Sequence, residues 1–473
     1  MYAKPRRTIG KQVVCQKKCL AEKEPTKTGD PYGIAAASRL WLTGSQGSER
    51  LNEVAEAGRM GSWFRSLRLW VALLVTLLML WGGDTQLSAT GETQSQVTTY
   101  LNQLAAQGIP TTQQGIWIQA NDQVLVDHQG RIPLPAASLT KVATSLASLV
   151  SLGSDYRFIT TLSANGSVAK GVLQGDLLVQ GSADPFFVWE DAIAVGNALN
   201  QLGIRQVTGN LVVVGSFYMN FFPDPKKSGS LLQQGLNSQL WPPEAAAQFQ
   251  TLPSSTPRPQ VEILGSVQWA ASPQKAARPL LQHASLPLVE LVKRMNLYSN
   301  NLMADMLADH LGGAAAVAQI VAQQTGLPTD EIQLVNGSGL GVDNRLSARA
   351  AVALFLALDR YLTAHDLTVA DGFAVVGQDE GVLEKRLLPA LLVAKSGTLN
   401  GVSTLAGALP TQNQGILWFA ILNQGADLVG LRTAQGQLLQ NLLKEWGSPT
   451  SLPAQLTPQF PATDKTTRLQ NLG

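Results

Sequence analysis

Cysteine is almost absent from this chain. Its 473 residues contain two, Cys15 and Cys19. Everything after residue 19 is therefore without a disulfide framework or a thiolate metal site. Histidine is nearly as scarce, with four residues too scattered in sequence to form a metal cluster, and neither a metal nor another cofactor is expected. An excess of charge of one sign is missing as well. The formal net charge is +2, with 11 Lys or Arg against 6 Asp or Glu in residues 1–60 and 24 against 27, a balance of −3, beyond them. A mildly acidic body excludes the basic field by which nucleic acid is bound. Charged residues make up only 14%, yet the apolar fraction of 45% is that of a globular protein. The length leaves room for two or three domains.

Long apolar runs are lacking too. Leu69–Trp81, preceded by Arg65 and Arg68 and ended by Gly82-Gly83-Asp84, is about a dozen residues where a membrane span takes roughly 20. The basic-then-apolar layout predicts a secretory signal or signal-anchor. Leu87-Ser88-Ala89 is a weak cleavage site and leaves removal and retention both open. Met60-Gly61-Ser62-Trp63-Phe64-Arg65 reads as an ordinary signal n-region, so residues 1–59 are expected to be a non-native or disordered leader, with Met60 as the start.

What is present is a succession of periodic segments. Residues 84–95 read as a polar linker and Thr98–Ala106 as a short helix. Residues 115–120 and 123–127 form a hairpin around Asn121-Asp122. A helix rich in alanine and leucine runs from Ala137 to Leu152 and stops at Gly153. A β-rich block follows, with strands over 156–163, 171–179 and 206–214, a helix at Trp189–Leu202, and mostly loops with some strand over 221–280. Helical spacing returns at 287–295, 301–311, 314–324 and 347–362. Strands are expected at 391–396, 403–409 and 416–423, and a last helix at 431–446.

Three short motifs stand in order: Ser138-Leu139-Thr140-Lys141, Ser299-Asn300-Asn301 and Lys395-Ser396-Gly397. Together they match the S-x-x-K, S-x-N and K-[ST]-G set of penicillin-recognising serine enzymes. Decoys occur at Ser272–Lys275, Ser163-Ala164-Asn165 and Lys227-Ser228-Gly229. Ser272 is followed by proline and polar residues, and Lys227 lies in what reads as a solvated turn. Ser138 instead opens a helix, which places Lys141 on the same face one turn on and offers free amides to an anion. Lys395 ends an apolar strand.

A serine hydroxyl is a poor nucleophile until a base takes its proton. No Ser-His-Asp arrangement is readable, so Lys141 is the candidate base, and it serves only when neutral. Burial and a second cation such as Lys395 nearby both lower a lysine's pKa. Ser299 and Asn301 are placed to relay a proton to the leaving amine and hold the substrate amide. Lys395, with Ser396, Gly397 and Thr398, suits a terminal carboxylate. Backbone amides of Ser138 and Thr398 would form an oxyanion hole worth on the order of 3 kcal/mol per donor. Gly337-Ser338-Gly339 is expected to be a turn rather than a catalytic element. His283 is given no role, being structural or at the cleft rim. Asp305 faces another helix or caps a charge, and Asp184-Pro185 is a turn.

Four stretches carry a closer likeness: residues 135–141, 298–305, 336–347 and 394–403. They resemble the low-molecular-mass class C penicillin-binding proteins, the D-alanyl-D-alanine carboxypeptidase/endopeptidase family, over about residues 95–446. The resemblance implies an α/β (α+β) transpeptidase domain of the penicillin-binding-protein/β-lactamase kind (95–155 and 281–446) with a β-rich domain (156–280) inserted in it. Residues 60–94 would be signal or anchor and linker, and 447–473 a disordered tail. It also implies a serine DD-peptidase acting on peptidoglycan stem peptides through an acyl-enzyme on Ser138, with β-lactam antibiotics as covalent inhibitors. Such an enzyme would sit in the periplasm or on the outer face of the cytoplasmic membrane, reached through the apolar segment. A β-lactamase-like hydrolase and a catalytically weak cell-wall-binding protein are the competing functions. Two features depart from the family. The gap from Lys141 to Ser299 is shorter than usual, which implies a reduced or missing inserted subdomain, and K-S-G replaces the commoner K-T-G. Tyr298-Ser299-Asn300 also fits a Y-x-N register, against which the Asn301-Leu302 continuation favours Ser299 and Asn301.

Overall fold

The computed structural model describes residues 91–272, 277–461 and 468–472. The expected leader and the apolar signal or anchor segment lie outside the described residues, and among these no helix is long and apolar enough to cross a membrane. Helix α1 (residues 91–106) takes in residues 91–95, expected as linker. Val97, Tyr100, Leu101 and Leu104 recur at helical spacing, and all are buried. β1 (Gln114–Ala120) and β2 (Gln123–His128) form the expected hairpin. Asn121 takes the left-handed conformation that its short polar side chain tolerates. β3 (Leu134–Pro135) leads into a 3-10 turn, Ala137–Leu139, and only then does α2 (Thr140–Leu152) begin. Every residue of α2 from Thr140 to Leu149 is buried, as befits a helix enclosed on all sides.

The next segment builds a second sheet. β4 (Ile159–Ala169) and β5 (Val172–Ser182) form a long hairpin. After α3 (Trp189–Gln201), β6 (Gln206–Val207) and β7 (Leu211–Ser216) lie parallel to β5. Residues 221–280, expected to be mostly loop, contain two helices, α4 (Pro225–Gly235) and α5 (Pro243–Gln250). Each opens on proline, which breaks a helix interior but fits its first turn. Asp224 caps α4 by accepting from the Lys227 amide, so the Lys227-Ser228-Gly229 decoy sits on a helix rather than in a turn, with Lys227 exposed. β8 (Glu262–Ile263), β9 (Val267–Ala270) and β10 (Arg278–Ala284) complete this part, β10 antiparallel to β4.

Helices α6 (Leu288–Leu297), α7 (Asn301–His310) and α8 (Ala314–Thr325) then pack around α2. β11 (Ile332–Gln333) and β12 (Arg345–Leu346) join β3 in a small sheet, and Ser347 caps α9 (Ala348–Thr363). β13 (Ala374–Val375), β14 (Val393–Leu399), β15 (Val402–Pro410) and β16 (Ile416–Gln424) form a sheet in the order β13-β14-β15-β16-β1-β2, followed by α10 (Leu428–Trp446). Both faces are covered. Trp418, Ala420 and Leu422 of β16 meet the core shared by α2 and α6–α9, while Leu417, Phe419 and Ile421 meet the core shared by α1 and α10. Burial on two faces is why these strands read as continuous apolar runs rather than alternating ones.

The chain beyond Gly447, expected to be disordered, is ordered in its described residues. Leu456 is fully buried, and the Gln459 and Phe460 amides donate to Asp371 Oδ1 at 2.9 and 2.8 Å. β17 (Leu469–Asn471) pairs with β10 at the edge of the second sheet. A composition rich in proline, threonine and glutamine marked this stretch as disordered, whereas a few anchoring residues hold it. One is Arg468, which meets Asp191 Oδ1 at 2.9 Å, while His283 Nε2 reaches the same oxygen at 3.2 Å. Burial alone would raise the pKa of Asp191. The hydrogen bond and charge of His283, with the charge of Arg468, hold it below the usual carboxylate value instead.

Asp184, 2% exposed, completes this buried group, and desolvation pushes its carboxyl up to about 6. Its Oδ1 accepts from the Phe186 amide, while Oδ2 has no partner. A raised carboxyl favours the folded state only while it is protonated, so its contribution fades as pH climbs from about 4 to 6. Asp184→Asn keeps the Oδ1 acceptor and removes the buried charge. Its melting temperature relative to the unaltered protein is expected to rise between pH 4.5 and pH 7, and a pH-independent difference by calorimetry would refute this.

Candidate active site

The start of α2, the start of α7 and the strand β14 meet at one end of the α2 bundle. Two backbone positions there are unusual. Ala137, just before Ser138, has φ 48° and Ser299 has φ 52°. Left-handed geometry costs a residue other than glycine about 1 kcal/mol or more, so the surroundings must impose it. The Ala136 amide donates to Asn344 O at 2.8 Å, and the Thr404 hydroxyl donates to Ala136 O at 3.0 Å. The Asn300 amide, beyond Ser299, donates to Met295 O at 3.0 Å.

Lys141 lies in the first turn of α2, one turn beyond Ser138, and is fully buried. Its Nζ donates to Ser138 Oγ at 2.9 Å, to Asn301 Oδ1 at 2.7 Å and to the carbonyl of Ser338 at 2.6 Å. Burial lowers its pKa to about 7 against the opposing pull of the Asp305 carboxylate, whose own Oδ1 is buried without a hydrogen-bond partner. Lys395 is 1% exposed and donates to Ser299 Oγ at 3.0 Å and Ser396 O at 2.6 Å. Burial, then the charges of Lys141 and Arg386, hold its pKa well below the ordinary lysine value.

Ser138, Ser299, Asn301, Ser396 and Thr398 line one cleft of about 440 Å³, together with Val382, Lys385, Arg386 and Arg432. The two lysines stand behind it, so all the expected site residues are brought to one place. Gly397 is what lets β14 approach: a Cβ there would lie 2.7 Å from Ser138 N and 2.4 Å from Thr404 Oγ1. In the alternative register Tyr298 is 58% exposed, and the Asn300 side chain is occupied in capping α7. The decoy at Ser163 lies within β4.

Other residues were not expected. The Gly337-Ser338-Gly339 turn, set aside as non-catalytic, supplies an acceptor for Lys141 through a backbone carbonyl that any residue type carries. Gly339, at φ 80°, closes against Ala137 O, where a Cβ would collide. Lys385, Arg386 and Arg432 join the cleft from stretches without a motif. His283 takes the structural role, buried against Asp191 far along the chain.

Comparison with known proteins bears on this arrangement. The model of the D-Ala-D-Ala carboxypeptidase 3 (S13) family matches residues 94–251 and 244–444. The carboxypeptidase DacB of Mycolicibacterium smegmatis is 26% identical over 350 residues, covering 66% of this chain and 75% of that protein. The D-alanyl-D-alanine carboxypeptidase DacB of Haemophilus influenzae is 23% identical over 388 residues, covering 60% and 79%. Among solved structures, a predatory peptidoglycan endopeptidase from Bdellovibrio bacteriovorus superposes with a TM-score of 0.63 at 23% identity, over 76% of this chain and 98% of that one. Penicillin binding protein 4 of Haemophilus influenzae gives 0.57 at 19%, over 74% and 99%. These likenesses establish the α/β fold of the penicillin-binding-protein/β-lactamase kind, to which the segment between α2 and α6 adds a second sheet.

Because Gly397 packs against the Ser138 turn without room for a methyl group, Gly397→Ala is expected to lower stability by about 1–3 kcal/mol in urea denaturation. An unchanged midpoint would show that strand and turn are not held together as described.

Proposed function

The chain belongs to the D-Ala-D-Ala carboxypeptidase 3 (S13) family, and from that premise we propose that it cleaves D-alanyl peptide bonds through an acyl-enzyme on Ser138, with Lys141 as general base. Membership makes the protein a DD-carboxypeptidase/endopeptidase acting on peptidoglycan, a serine hydrolase. The assignment of residues rests on one observation, the partner set of Lys141. A neutral amine has two hydrogens to give and one lone pair to offer. Of its three partners, Asn301 Oδ1 and Ser338 O can only accept, and Ser138 alone carries a proton. Neutral Lys141 therefore donates to the first two and draws on the Ser138 hydroxyl, which is the arrangement a nucleophile and its base require.

Ser138 Oγ attacks the D-alanyl carbonyl as Lys141 takes its proton. The amides of Ser138 and Thr398 receive the oxyanion. The proton that Lys141 took is relayed through Ser299 to the leaving amine while Asn301 holds the substrate amide, which leaves Lys141 neutral again to take a proton from the incoming water. The substrate's terminal carboxylate is held by Lys395, Ser396 and Thr398, with Gly397 allowing close approach. It also restores a counter-charge to Lys395, whose burial otherwise disfavours its charged form. Water then releases the acyl group. β-Lactams would be trapped on Ser138, as penicillin G is in a solved form of the Bdellovibrio endopeptidase. The site of action is the periplasm or the outer face of the cytoplasmic membrane, where peptidoglycan is found; the apolar stretch at Leu69–Trp81 supports this.

Fluorescent penicillin is expected to label the protein persistently and to leave Ser138→Ala unlabelled. Rapid turnover of the β-lactam without label would indicate a β-lactamase instead, and no reaction in folded protein a wall-binding role. The labelling rate is expected to rise with pH through about 7 as Lys141 loses its proton. Lys141→Arg, which stays protonated, is expected to lose roughly 100-fold or more of that rate; a flat pH profile or an active arginine variant would remove Lys141 from the role of base.

A further inference from the structure

A second cavity shares no lining residue with the catalytic cleft. It encloses about 390 Å³ between α9, the β15–β16 hairpin and the segment that follows α10, a volume that suits a small organic ligand. Trp418, Ile416, Leu452 and Pro453 give it apolar walls, and Ser451 and Gln455, both exposed, stand at its mouth. Asp359 of α9 is the single charged group among the lining residues. Its carboxylate is half-buried and joins no ion pair among the described residues. The neighbouring Arg360 donates instead to Gln324 O at 3.2 Å. Burial raises the Asp359 carboxyl above its ordinary value against the weaker pull of the Arg360 charge. A carboxylate partly removed from water and given no partner is costly, and a cation brought to it relieves that cost.

The walls are fixed in advance. In the hairpin the Thr411 amide and hydroxyl both donate to Gly415 O, at 2.7 and 2.8 Å. The Gln412 and Asn413 amides tie the same turn to Gly447 O and Trp446 O at 3.0 and 2.9 Å. Leu456, fully buried, anchors the segment that carries Leu452 and Pro453. A preformed cavity spares a ligand the cost of ordering it.

We propose that this cavity is a second binding site, separate from the cleft, for a primary ammonium on a short alkyl stem, with Asp359 as its counter-ion. One carboxylate without a second acid or an imidazole beside it is a poor metal site. An ammonium has three hydrogens to give, and Asn121, Ser451 and Gln455 add acceptor oxygens to the lining that holds Asp359. The stem rests on Trp418 and Leu452, as the alkyl part of a lysine rests on apolar surface.

The test measures binding of n-pentylamine and of pentan-1-ol to the protein by saturation-transfer NMR. The amine is expected to bind about 10-fold more tightly than the alcohol, and Asp359→Asn to bring the two within about 2-fold of each other. In the unaltered protein the amine, charged throughout, is expected to lose affinity as pH falls from about 8 to about 4 and Asp359 takes up a proton. The alcohol is expected to show no such change. Equal binding of amine and alcohol, a flat pH profile for the amine, or an amine preference that survives in Asp359→Asn would each overturn the site. The melting temperature of Asp359→Asn shows that the variant is folded, and the pH profile tests the proposal without any variant.

Discussion

Everything at this site depends on keeping one ammonium group out of water. Lys141 is enclosed by α2, α7 and the Ser338 turn, and its burial has two effects that cannot be separated. It lowers the proton affinity to the point where the free amine exists near neutral pH, and it obliges each remaining polar contact to be made, since an unpaired group there would be costly. Asp305 opposes the first effect from a distance. The resulting balance, rather than burial alone, sets the Lys141 amine near pH 7. Lys395 shows the same physics carried further, with no carboxylate to oppose it.

Burying that group requires three segments far apart in sequence to close on one point, and the backbone shows what the closure costs. Left-handed conformations occur at Ala137, next to Ser138, and at Ser299 itself. Gly397 and Gly339 stand where any larger residue would hold the segments apart. The strained positions and the close approaches all belong to the same few ångströms, and the rest of the two-faced sheet and the helices around α2 hold them there. A domain core of this kind serves the site by resisting relaxation.

How much of this was legible in the sequence follows from what kind of interaction made each part. Helical spacing predicted α6, α7, α8 and α9 because one face of each meets a common core, and the strands of the main sheet were legible as apolar runs because both their faces are covered. The three motifs were legible because side-chain chemistry is written in residue type, and the fold brings their residues to one cleft. What was missed leaves weaker traces. The Ser338 contribution is a backbone carbonyl, and Lys385, Arg386 and Arg432 look like any solvated cations until the fold sets them beside Thr398. Helices α4 and α5 were hidden in a stretch rich in proline, glutamine, serine and glycine that reads as loop, and the tail by a composition that conceals Leu456 and Arg468. Asp184 and His283 gave no hint of their common burial, which joins a loop and a strand nearly a hundred positions apart.

The strand β17 has one more consequence. It covers the outer edge of β10, yet Ala284 and Leu469 are separated in the chain by all of α6–α10 and most of the first sheet. While the polypeptide is being made, the second sheet must exist for a time with that border open, its amides and carbonyls available to any other extended chain. Closure comes only with the final stretch, when Arg468 reaches Asp191. The later segment therefore acts as a seal on the earlier one, and the interval before it arrives is when the nascent molecule is exposed to mispairing with its neighbours.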